Sequence, residues 1–250
     1  MSVLVTGAGS GIGEATARLL AQRGGEVAVT DVDESAAARV AGEIGGLALQ
    51  LDVTSREAVR QAIQAAEASL SPLDGWVSNA GVSSMISFLE MPDEEWQRML
   101  AVNETGVFTC GQEFARHLVA AGRPGAIVNV ASMAAKQGNV PYLSHYIASK
   151  FAVVGLTQAM AYELGPHGIR VNSVCPGWVA TSMQERELVW EGQLRDMTPD
   201  EVRQSFIDNT PLGRIETGDD VARTIAFLLG PDAVFVTGEA LNINGGAFMD

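Results

Sequence analysis

Cysteine, positive charge and long apolar runs are all scarce in this chain. Its two cysteines, Cys110 and Cys175, form no C-x-x-C pair, which argues against a disulfide scaffold or a cysteine zinc site and favours a reducing compartment. Only 16 basic residues accompany 30 acidic ones, and the net charge of −14 argues against nucleic acid or an anionic membrane surface as a partner. No stretch approaches the roughly 18 consecutive apolar residues of a transmembrane helix, and the N-terminus lacks the basic start and the length of a signal peptide. These absences predict a soluble, cytoplasmic protein.

Short apolar runs alternate with longer amphipathic stretches from one end of the chain to the other. The apolar runs lack clean polar alternation, which is typical of strands covered on both faces of a parallel sheet. The seven strand-sized runs are Val3–Thr6, Val27–Thr30, Ala48–Leu51, Trp76–Ser78, Ala126–Val130, Arg170–Val174 and Ala240–Ile243. The helical stretches include Gly13–Gln22, Ser35–Ile44, Arg56–Ser69, Asp93–Ala120, Tyr146–Leu164 and Asp219–Leu229, with Asp93 and Asp219 as predicted N-caps. We therefore predict one doubly wound α/β domain over residues 1–250, with helices on both faces of a parallel sheet of about seven strands.

The segment from Ser182 to Asn209 interrupts this alternation. It mixes charges of both signs and carries Trp190. One interpretation is a solvated pair of surface helices. The other is a lid over a substrate pocket, since long excursions from a compact domain often carry function. Composition alone leaves both interpretations open.

The strongest local signal is a glycine-rich loop between the first strand and the first helix. It reads Thr6-Gly7-Ala8-Gly9-Ser10-Gly11-Ile12-Gly13, and the candidate ligand contacts in it are Gly7, Ser10, Gly11, Ile12 and Gly13. Such a loop lets backbone N–H groups approach a pyrophosphate, and the helix N-terminus adds partial positive charge. An isolated match of this kind is also found in ordinary tight turns between a strand and a helix.

An acidic residue at the end of the second strand strengthens the dinucleotide interpretation. Asp31 lies 18 residues past Gly13, near the position expected for a ribose-binding acid. A carboxylate accepts hydrogen bonds from a ribose 2′-OH and repels a 2′-phosphate. Val32 follows, with no Arg or Lys close by in the sequence to bind that phosphate. The pattern favours NAD over NADP.

Two further strand ends carry residues that suit the same ligand. Asp52 and Val53 follow the third strand, and Asn79, Ala80 and Gly81 follow the fourth. Each pattern alone is consistent with ordinary turn chemistry. Because ligands of open α/β sheets bind beyond the carboxyl ends of the strands, the joint placement favours binding.

A tyrosine and a lysine four residues apart supply the candidate chemistry. Tyr146 and Lys150 share one helix face, although Y-x-x-x-K alone more often marks a solvated surface. A lysine ammonium beside a phenol lowers the pKa of the phenol, which can then exchange a proton with an alcohol or a carbonyl. Ser132 ends the fifth strand, where its hydroxyl can hold the same oxygen.

Taken together, these motifs resemble the short-chain dehydrogenase/reductase family in its single-domain form. The chain matches the T-G-x-x-x-G-x-G loop at Thr6–Gly13, the N-A-G element at Asn79–Gly81 and the P-G-x-x-x-T segment at Pro176–Thr181. The family's catalytic tetrad is matched by Asn103, Ser132, Tyr146 and Lys150. The resemblance covers essentially the whole chain and implies a Rossmann-type dehydrogenase fold.

The resemblance implies a role for each member of the tetrad. Tyr146 is expected to be the general acid/base, and Ser132 to hold the reacting oxygen. Lys150 is expected to contact the nicotinamide ribose and to lower the pKa of Tyr146. Asn103 is expected to position a water that links Lys150 to a proton relay.

The resemblance also implies further contacts and an assembly. The nicotinamide amide and phosphate are expected to meet Pro176, Gly177, Val179 and Thr181. The insert at about 182–209 falls where the family keeps its substrate lid, which favours the lid interpretation. The helices Glu104–Ala120 and Phe151–Leu164 are expected to build a dimer face within a homotetramer.

Other residues give weaker signals. The three histidines show no metal-ligand spacing, so no metal site is predicted. His145 is expected to point away from Tyr146, with a minority interpretation in which it borders the substrate mouth. Trp178 is expected to line the substrate pocket.

The sequence thus predicts an NAD-dependent oxidoreductase that transfers a hydride between nicotinamide and a small-molecule secondary alcohol or ketone. The polar lid, poor in aromatic residues, is similar to those of polyol and sugar-alcohol dehydrogenases of the family. One alternative is a 3-oxoacyl-thioester reductase, which Asp31 and the acidic net charge disfavour. Another is a catalytically silent nucleotide-sensing regulator, which the intact tetrad disfavours.

Overall fold

A computed structural model describes residues 1–250 and contains one seven-stranded, fully parallel sheet. The strands are β1 Ser2–Thr6, β2 Glu26–Asp31, β3 Leu47–Gln50, β4 Gly75–Ser78, β5 Gly125–Val130, β6 Ile169–Pro176 and β7 Ala240–Ile243. The helices are α1 Gly11–Gln22, α2 Glu34–Ile44, α3 Arg56–Ser69, α4 Asp93–Leu100, α5 Gly106–Ala120, α6 Ser144–Leu164, α7 Ser182–Arg195, α8 Pro199–Asp208 and α9 Gly218–Leu229. The predicted doubly wound parallel fold and its seven strands are confirmed.

Two apolar cores sandwich the sheet. On one face β1, β2 and β5 pack against α1, α2 and α9 through a cluster of 22 buried residues. On the other face, 18 buried residues join the sheet to α3, α5 and α6, with Trp76 and Phe114 as the largest side chains. Burial on both faces explains why the central strands read as continuous apolar runs.

The strand order β3-β2-β1-β4-β5-β6-β7 reverses direction between β1 and β4. Chain segments leaving the carboxyl ends of these two strands diverge to opposite faces of the sheet, and a crevice opens between them. Crevices at such a switch point are where open α/β sheets bind their ligands. The fold thus places the Gly7–Gly13 loop and the Asn79–Gly81 segment side by side.

Two predicted helix starts are wrong by a residue or two. The N-cap of α9 is Thr217, whose hydroxyl accepts a hydrogen bond from Asp220 N at 3.3 Å, while the Asp220 carboxylate accepts from Thr217 N at 2.9 Å. This reciprocal capping box displaces Asp219 into the first turn. Similarly, Asp93 is the first helical residue of α4, and Pro92 occupies the N-cap position without a side-chain bond.

The predicted helix Asp93–Ala120 is interrupted by a π turn at Ala101–Thr105 between α4 and α5. The wider turn contains Asn103, whose side chain is fully buried against the loop after β4. Single π turns of this kind occur often at functional sites.

The segment 182–209 forms the helices α7 and α8, which pack on each other through Leu188, Val202 and Phe206. The Phe206 ring stacks on Trp178 with centroids 4.6 Å apart, which ties the helix pair to the chain after β6. The outer face of the helix pair is solvated, as the surface-helix interpretation expects. The inner face of α7 borders a cleft, as the lid interpretation requires. No helix combines the length and the apolar character needed to span a membrane.

Candidate active site

A cleft of about 880 Å³ lies over the carboxyl ends of the strands. It gathers nearly all of the predicted site residues, although they come from seven separate stretches of the chain. Those lining it are Gly7, Ser10, Gly11, Ile12, Asp31, Asp52, Val53, Asn79, Ala80, Gly81, Ser132, Tyr146, Lys150, Pro176, Gly177, Val179 and Thr181. Gly13 and Asn103 are the two predicted residues that do not line the cleft.

The start of α1 offers unused hydrogen-bond donors to the cleft. Ser10 occupies the N-cap position with extended backbone and makes no side-chain cap bond. The backbone N–H groups of Gly11, Ile12 and Gly13 donate to no acceptor within the chain. A Cβ on Gly11, which has φ +57°, would come within 3.2 Å of Thr181. Free donors at a helix N-terminus beside a narrow cradle fit the pyrophosphate of a dinucleotide.

Gly13 does not line the cleft, and its lack of a side chain allows the loop to pack closely. A Cβ there would lie 2.3 Å from the carbonyl oxygen of Gly7 and 2.5 Å from Asn79 Nδ2. Asn79 Nδ2 itself donates to the carbonyls of Thr6 and Gly7 at 2.9 Å, and Thr6 Oγ1 accepts from the N–H groups of Asn79 and Ala80 at 3.0 Å. This clamp joins the ends of β1 and β4 and so holds the two sides of the crevice in register.

Asp31 faces the cleft from the end of β2. Its carboxylate accepts from Gly9 N at 3.0 Å and from Asp33 N at 3.0 Å, which fixes the side chain at the mouth of the loop. The structure also brings Arg39 of α2 close, with Nη2 donating to the Gly9 carbonyl at 2.8 Å. Because Arg39 lies on the next helix, the sequence analysis did not identify it as a neighbour of Asp31. Arg39 is already paired with Glu14, at 2.8 Å, so its charge is neutralised within the protein.

Tyr146 and Lys150 lie on one face of α6, as predicted, at the floor of the cleft. Lys150 Nζ donates to the Val130 carbonyl at 2.8 Å and sits 5.6 Å from the centroid of the Tyr146 ring. Ser132, at the end of β5, places its hydroxyl beside Tyr146 and favours the ionised phenol. The three side chains converge on one small volume.

Burial controls the electrostatics of this pair more than their mutual attraction does. Burial raises the pKa of Tyr146 above its usual range, with a smaller contribution from the negative charge of Glu187. Burial also lowers the pKa of Lys150 to about 8. The expected depression of the Tyr146 pKa by Lys150 is therefore absent from the protein alone, because desolvation of the phenolate dominates.

Comparison with known proteins identifies the family. Residues 7–247 match the family model described as Enoyl-(Acyl carrier protein) reductase. The chain is 38% identical to the (3R)-3-hydroxyacyl-CoA dehydrogenase of Canis lupus familiaris, over 98% of this chain and 95% of that protein. It is also 38% identical to galactitol 2-dehydrogenase (L-tagatose-forming) of Cereibacter sphaeroides, over 97% of this chain and 92% of that protein.

A solved structure completes the comparison. A short-chain type dehydrogenase/reductase from Mycobacterium marinum superposes with a TM-score of 0.90 at 37% identity, covering 100% of this chain and 96% of that one. The chain belongs to the short-chain dehydrogenase/reductase family. Membership makes it a hydride-transferring oxidoreductase that works with a nicotinamide cofactor. The donors of α1 and the cradle around Gly11 fit such a dinucleotide.

Asn103, which the resemblance predicts to be the tetrad asparagine, is fully buried and does not line the cleft. Its Oδ1 accepts from Val82 N at 2.8 Å, and its Nδ2 donates to the Val82 carbonyl at 2.9 Å and to Ser149 Oγ at 3.3 Å. These bonds fasten the chain after Gly81 to the π turn and to α6. The direct partners of Asn103 are thus the backbone of Val82 and the side chains of Ser149 and Met99.

His145 is buried rather than near the substrate mouth. It is fully excluded from solvent, and its Nε2 lies 2.9 Å from Ser84 Oγ, which in turn contacts Glu95 of α4. Burial lowers the pKa of His145. The imidazole therefore joins α6 to the loop before α4 and takes no part in lining the cleft, whereas Trp178 lines it as predicted.

Sequence reasoning missed Glu216, which braces the segment Pro176–Thr181. Its backbone N donates to the Trp178 carbonyl at 3.0 Å, and its carbonyl accepts from Ala180 N at 2.8 Å. Its carboxyl Oε2 accepts from Gly177 N at 2.8 Å, while Oε1 is buried without a partner. Burial raises the pKa of this carboxyl to about 8. No local motif marks the residue, because its partners lie some 40 positions away.

Sequence reasoning also missed the two acidic residues with which α7 borders the cleft. Met183, Glu187 and Glu191 recur at four-residue spacing and share the inner face of the helix. Burial raises the pKa of Glu187, and the side chain makes no ion pair. Apolar side chains such as Met85 and Leu143 also line the cleft. The cleft thus presents both acidic and apolar side chains.

Proposed function

We propose that this protein catalyses the NAD-dependent oxidation of a small secondary alcohol, of the polyol or sugar-alcohol class, to its ketone. The observation that carries the proposal is a single cleft that joins the free N–H groups of α1 and the Asp31 carboxylate to the hydroxyls of Ser132 and Tyr146. The N–H groups and the Asp31 carboxylate suit a dinucleotide with a free ribose 2′-OH. The hydroxyls of Ser132 and Tyr146 suit a substrate oxygen that gains or loses a proton.

Each residue of the cleft has a defined task in the proposed reaction. Ser132 donates a hydrogen bond to the substrate oxygen and orients it toward Tyr146. Tyr146 accepts the hydroxyl proton in its ionised form, which the Ser132 hydroxyl favours and burial disfavours, as the carbon–oxygen double bond forms. Lys150 supports the ionised phenol through its positive charge. The nicotinamide ring, when bound, supplies the acceptor for the hydride that leaves the carbinol carbon.

The polar inner face of the segment 182–209, together with Gln184, supports a hydroxylated substrate. The 38% identity to a galactitol 2-dehydrogenase supports the same class. We propose that this segment acts as the substrate lid. Asp31 supports NAD over NADP, because a carboxylate at that position repels a 2′-phosphate.

A second candidate is the reduction of 3-oxoacyl thioesters or the oxidation of the corresponding 3-hydroxyacyl thioesters. The relative named (3R)-3-hydroxyacyl-CoA dehydrogenase favours it, as do apolar residues that line the cleft, among them Met133 and Val140. The net charge of −14 disfavours it, because thioester carriers are themselves acidic and an acidic surface repels them.

We further propose a cytoplasmic homotetramer. Large apolar side chains remain exposed on the two helices predicted to form an interface, namely Phe108 of α5 and Phe151 and Tyr162 of α6. Exposed apolar patches of this kind mark association surfaces. Light scattering after size-exclusion chromatography tests the assembly, with a mass of four chains expected and a monomer contradicting it.

The function is tested by initial rates of nicotinamide reduction. NAD or NADP is supplied with galactitol, simple diols or a (3R)-3-hydroxyacyl thioester. Turnover of a polyol with NAD is the expected result. Turnover of the thioester alone would establish the second candidate, and preference for NADP would refute the argument from Asp31. Tight NADH binding without any turnover would instead indicate a nucleotide-sensing regulator.

A further inference from the structure

Both ends of the helix pair α7 and α8 meet at one residue, Glu216. The chain leaves the sheet after β6, forms the two helices and returns beside its own starting point, where Val179 and Glu216 form an isolated parallel bridge. Glu216 N donates to the Trp178 carbonyl at 3.0 Å, and Ala180 N donates to the Glu216 carbonyl at 2.8 Å. The base of the helix pair is therefore closed by backbone hydrogen bonds on both sides of Val179.

The side chain of Glu216 adds a further attachment to the same stretch of chain. Its Oε2 accepts from Gly177 N at 2.8 Å, and this N–H also donates to the Ile243 carbonyl at 3.0 Å. Gly177 is thereby held between the end of β7 and the residue at the base of the helix pair. Glu216 does not line the cleft, so it acts on a bound molecule only through the chain that it holds.

The chain directly after Glu216 packs on the glycine loop. A Cβ on Gly218 would lie 2.9 Å from Ala15 Cβ and 3.3 Å from the Gly11 carbonyl oxygen, so this backbone lies against the start of α1. A Cβ on Gly11 would in turn lie 3.2 Å from Thr181 Cγ2. Residues 216–218 thus join the stretch expected to meet the nicotinamide to the loop whose N–H groups suit the pyrophosphate.

The carboxyl of Glu216 is buried in a way that lowers stability. The residue is 8% exposed, and its Oε1 has no hydrogen-bond partner. Burial raises the pKa to about 8, with Asp220 adding to the rise and Arg214 opposing it, so the carboxyl is mostly neutral at pH 6.5. A buried polar atom without a partner destabilises the folded state, and such departures from the rules of burial occur at functional sites.

We infer that Glu216 is a positioning residue, which holds residues 177–180 in place for the nicotinamide cofactor and fixes the base of the lid. The inference rests on the proposed role of α7 and α8 as a lid, whereas the cofactor follows from family membership. Without the side chain, Gly177 keeps only its bond to the Ile243 carbonyl. Residues 177–180 then gain freedom that a bound cofactor must remove, which weakens binding.

The cofactor part is tested by the dissociation constant of NADH at pH 6.5, measured from NADH fluorescence. Glu216→Ala removes the acceptor of the Gly177 N–H and should raise the constant by about five- to tenfold. Glu216→Gln keeps an acceptor of the same shape and should stay within about twofold of the wild type. An unchanged constant in Glu216→Ala would overturn the inference, as would equal weakening in both variants.

Thr217→Ala is the matched control for a general loss of stability. Thr217 caps α9 through Asp220 and makes no hydrogen bond to residues 177–180. Its removal should lower the unfolding free energy and leave NADH binding within about twofold of the wild type. Weakening as large as that in Glu216→Ala would assign the effect to stability alone and overturn the positioning role.

Limited digestion with trypsin tests the base of the lid, because Arg186 and Arg195 are exposed on α7. In the absence of NADH, Glu216→Ala should be cleaved at these two positions at least about threefold faster than the wild type, since local opening becomes easier. Glu216→Gln and Thr217→Ala should be cleaved at the rate of the wild type. Unchanged cleavage in Glu216→Ala would overturn the inference for the lid.

Neither measurement uses a substrate, so the inference and the proposed function fail separately. Weaker NADH binding and faster lid cleavage confined to Glu216→Ala, in a protein that oxidises no polyol, would refute the proposed function and retain the inference. Polyol oxidation with the same KM for NAD in Glu216→Ala and in the wild type, together with unchanged NADH binding, would retain the function and refute the inference.

Discussion

Replacement of Glu216 by glutamine should make the protein more stable at neutral and alkaline pH. The carboxyl Oε2 accepts from Gly177 N at 2.8 Å, and glutamine can keep this bond through its amide oxygen. Its other oxygen is buried without a partner, and the pKa is raised by burial from 4.5 to about 8. Asp220 adds to this rise, and Arg214, which pairs with Asp220 at 2.7 Å, opposes it.

The sign and the size of the effect follow from proton linkage. The folded state holds the proton of Glu216 more tightly than the unfolded state does. The stabilisation from this proton is complete below about pH 4.5 and is lost as the pH rises through about 8. At 1.36 kcal/mol per pKa unit, this shift lowers the unfolding free energy by at most about 5 kcal/mol at alkaline pH, relative to its value below about pH 4.5. At pH 7 the loss is about 3 kcal/mol.

Urea denaturation followed by tryptophan fluorescence measures this effect at pH 5, 6.5 and 8, at one protein concentration. Between pH 5 and pH 8, the unfolding free energy of the wild type should fall by about 3–4 kcal/mol more than that of Glu216→Gln. Glu163→Gln, at an exposed position on α6, is the matched control and should follow the wild type. Parallel pH curves for wild type and Glu216→Gln would refute the assignment of a buried, protonated carboxyl.

Three further predictions concern the cofactor specificity, the ion pairs of a buried glutamate and a helix cap. Asp31→Asn should raise the ratio of kcat/KM with NADP to that with NAD by at least about tenfold, since the charge that repels a 2′-phosphate is removed; an unchanged ratio in initial-rate assays contradicts this role. Glu113 is held by three arginines with its pKa lowered to about 2, so the stability it contributes is present above about pH 4.5 and lost as the pH falls toward 2; Glu113→Gln should cost about 2–3 kcal/mol in urea denaturation at pH 7 and much less at pH 3. Thr217→Ala should lower the unfolding free energy by about 1 kcal/mol, whereas Asp219→Ala should leave it nearly unchanged, and the reverse order would restore Asp219 as the cap.

Most of the fold was predictable because its signals are local. Strands buried on both faces read as short apolar runs, and the glycine loop follows from a close approach of backbone that excludes a side chain at Gly13. The boundaries were less predictable where two polar residues compete for one role. Thr217 takes the cap of α9 because its hydroxyl and the Asp220 carboxylate bond reciprocally, a pairing that the neighbouring Asp219 cannot make.

The parts of the site that escaped prediction depend on contacts between distant segments. Arg39 reaches Gly9 across 30 positions, and Glu216 reaches Gly177 across 39. Neither contact can be inferred from a periodic pattern in the sequence. The pKa of Tyr146 could not be predicted for another reason, because its direction depends on how deeply the cleft buries the phenol.

The most direct test of the account is the effect of Tyr146→Phe on turnover and on cofactor binding, measured together. Phenylalanine keeps the ring packing and removes only the hydroxyl that is proposed to take the substrate proton. We expect kcat for polyol oxidation with NAD to fall by at least about a hundredfold, while the dissociation constant of NADH changes less than about threefold. Retained turnover in the variant would contradict the proposed role of Tyr146 and, with it, the central claim about this cleft.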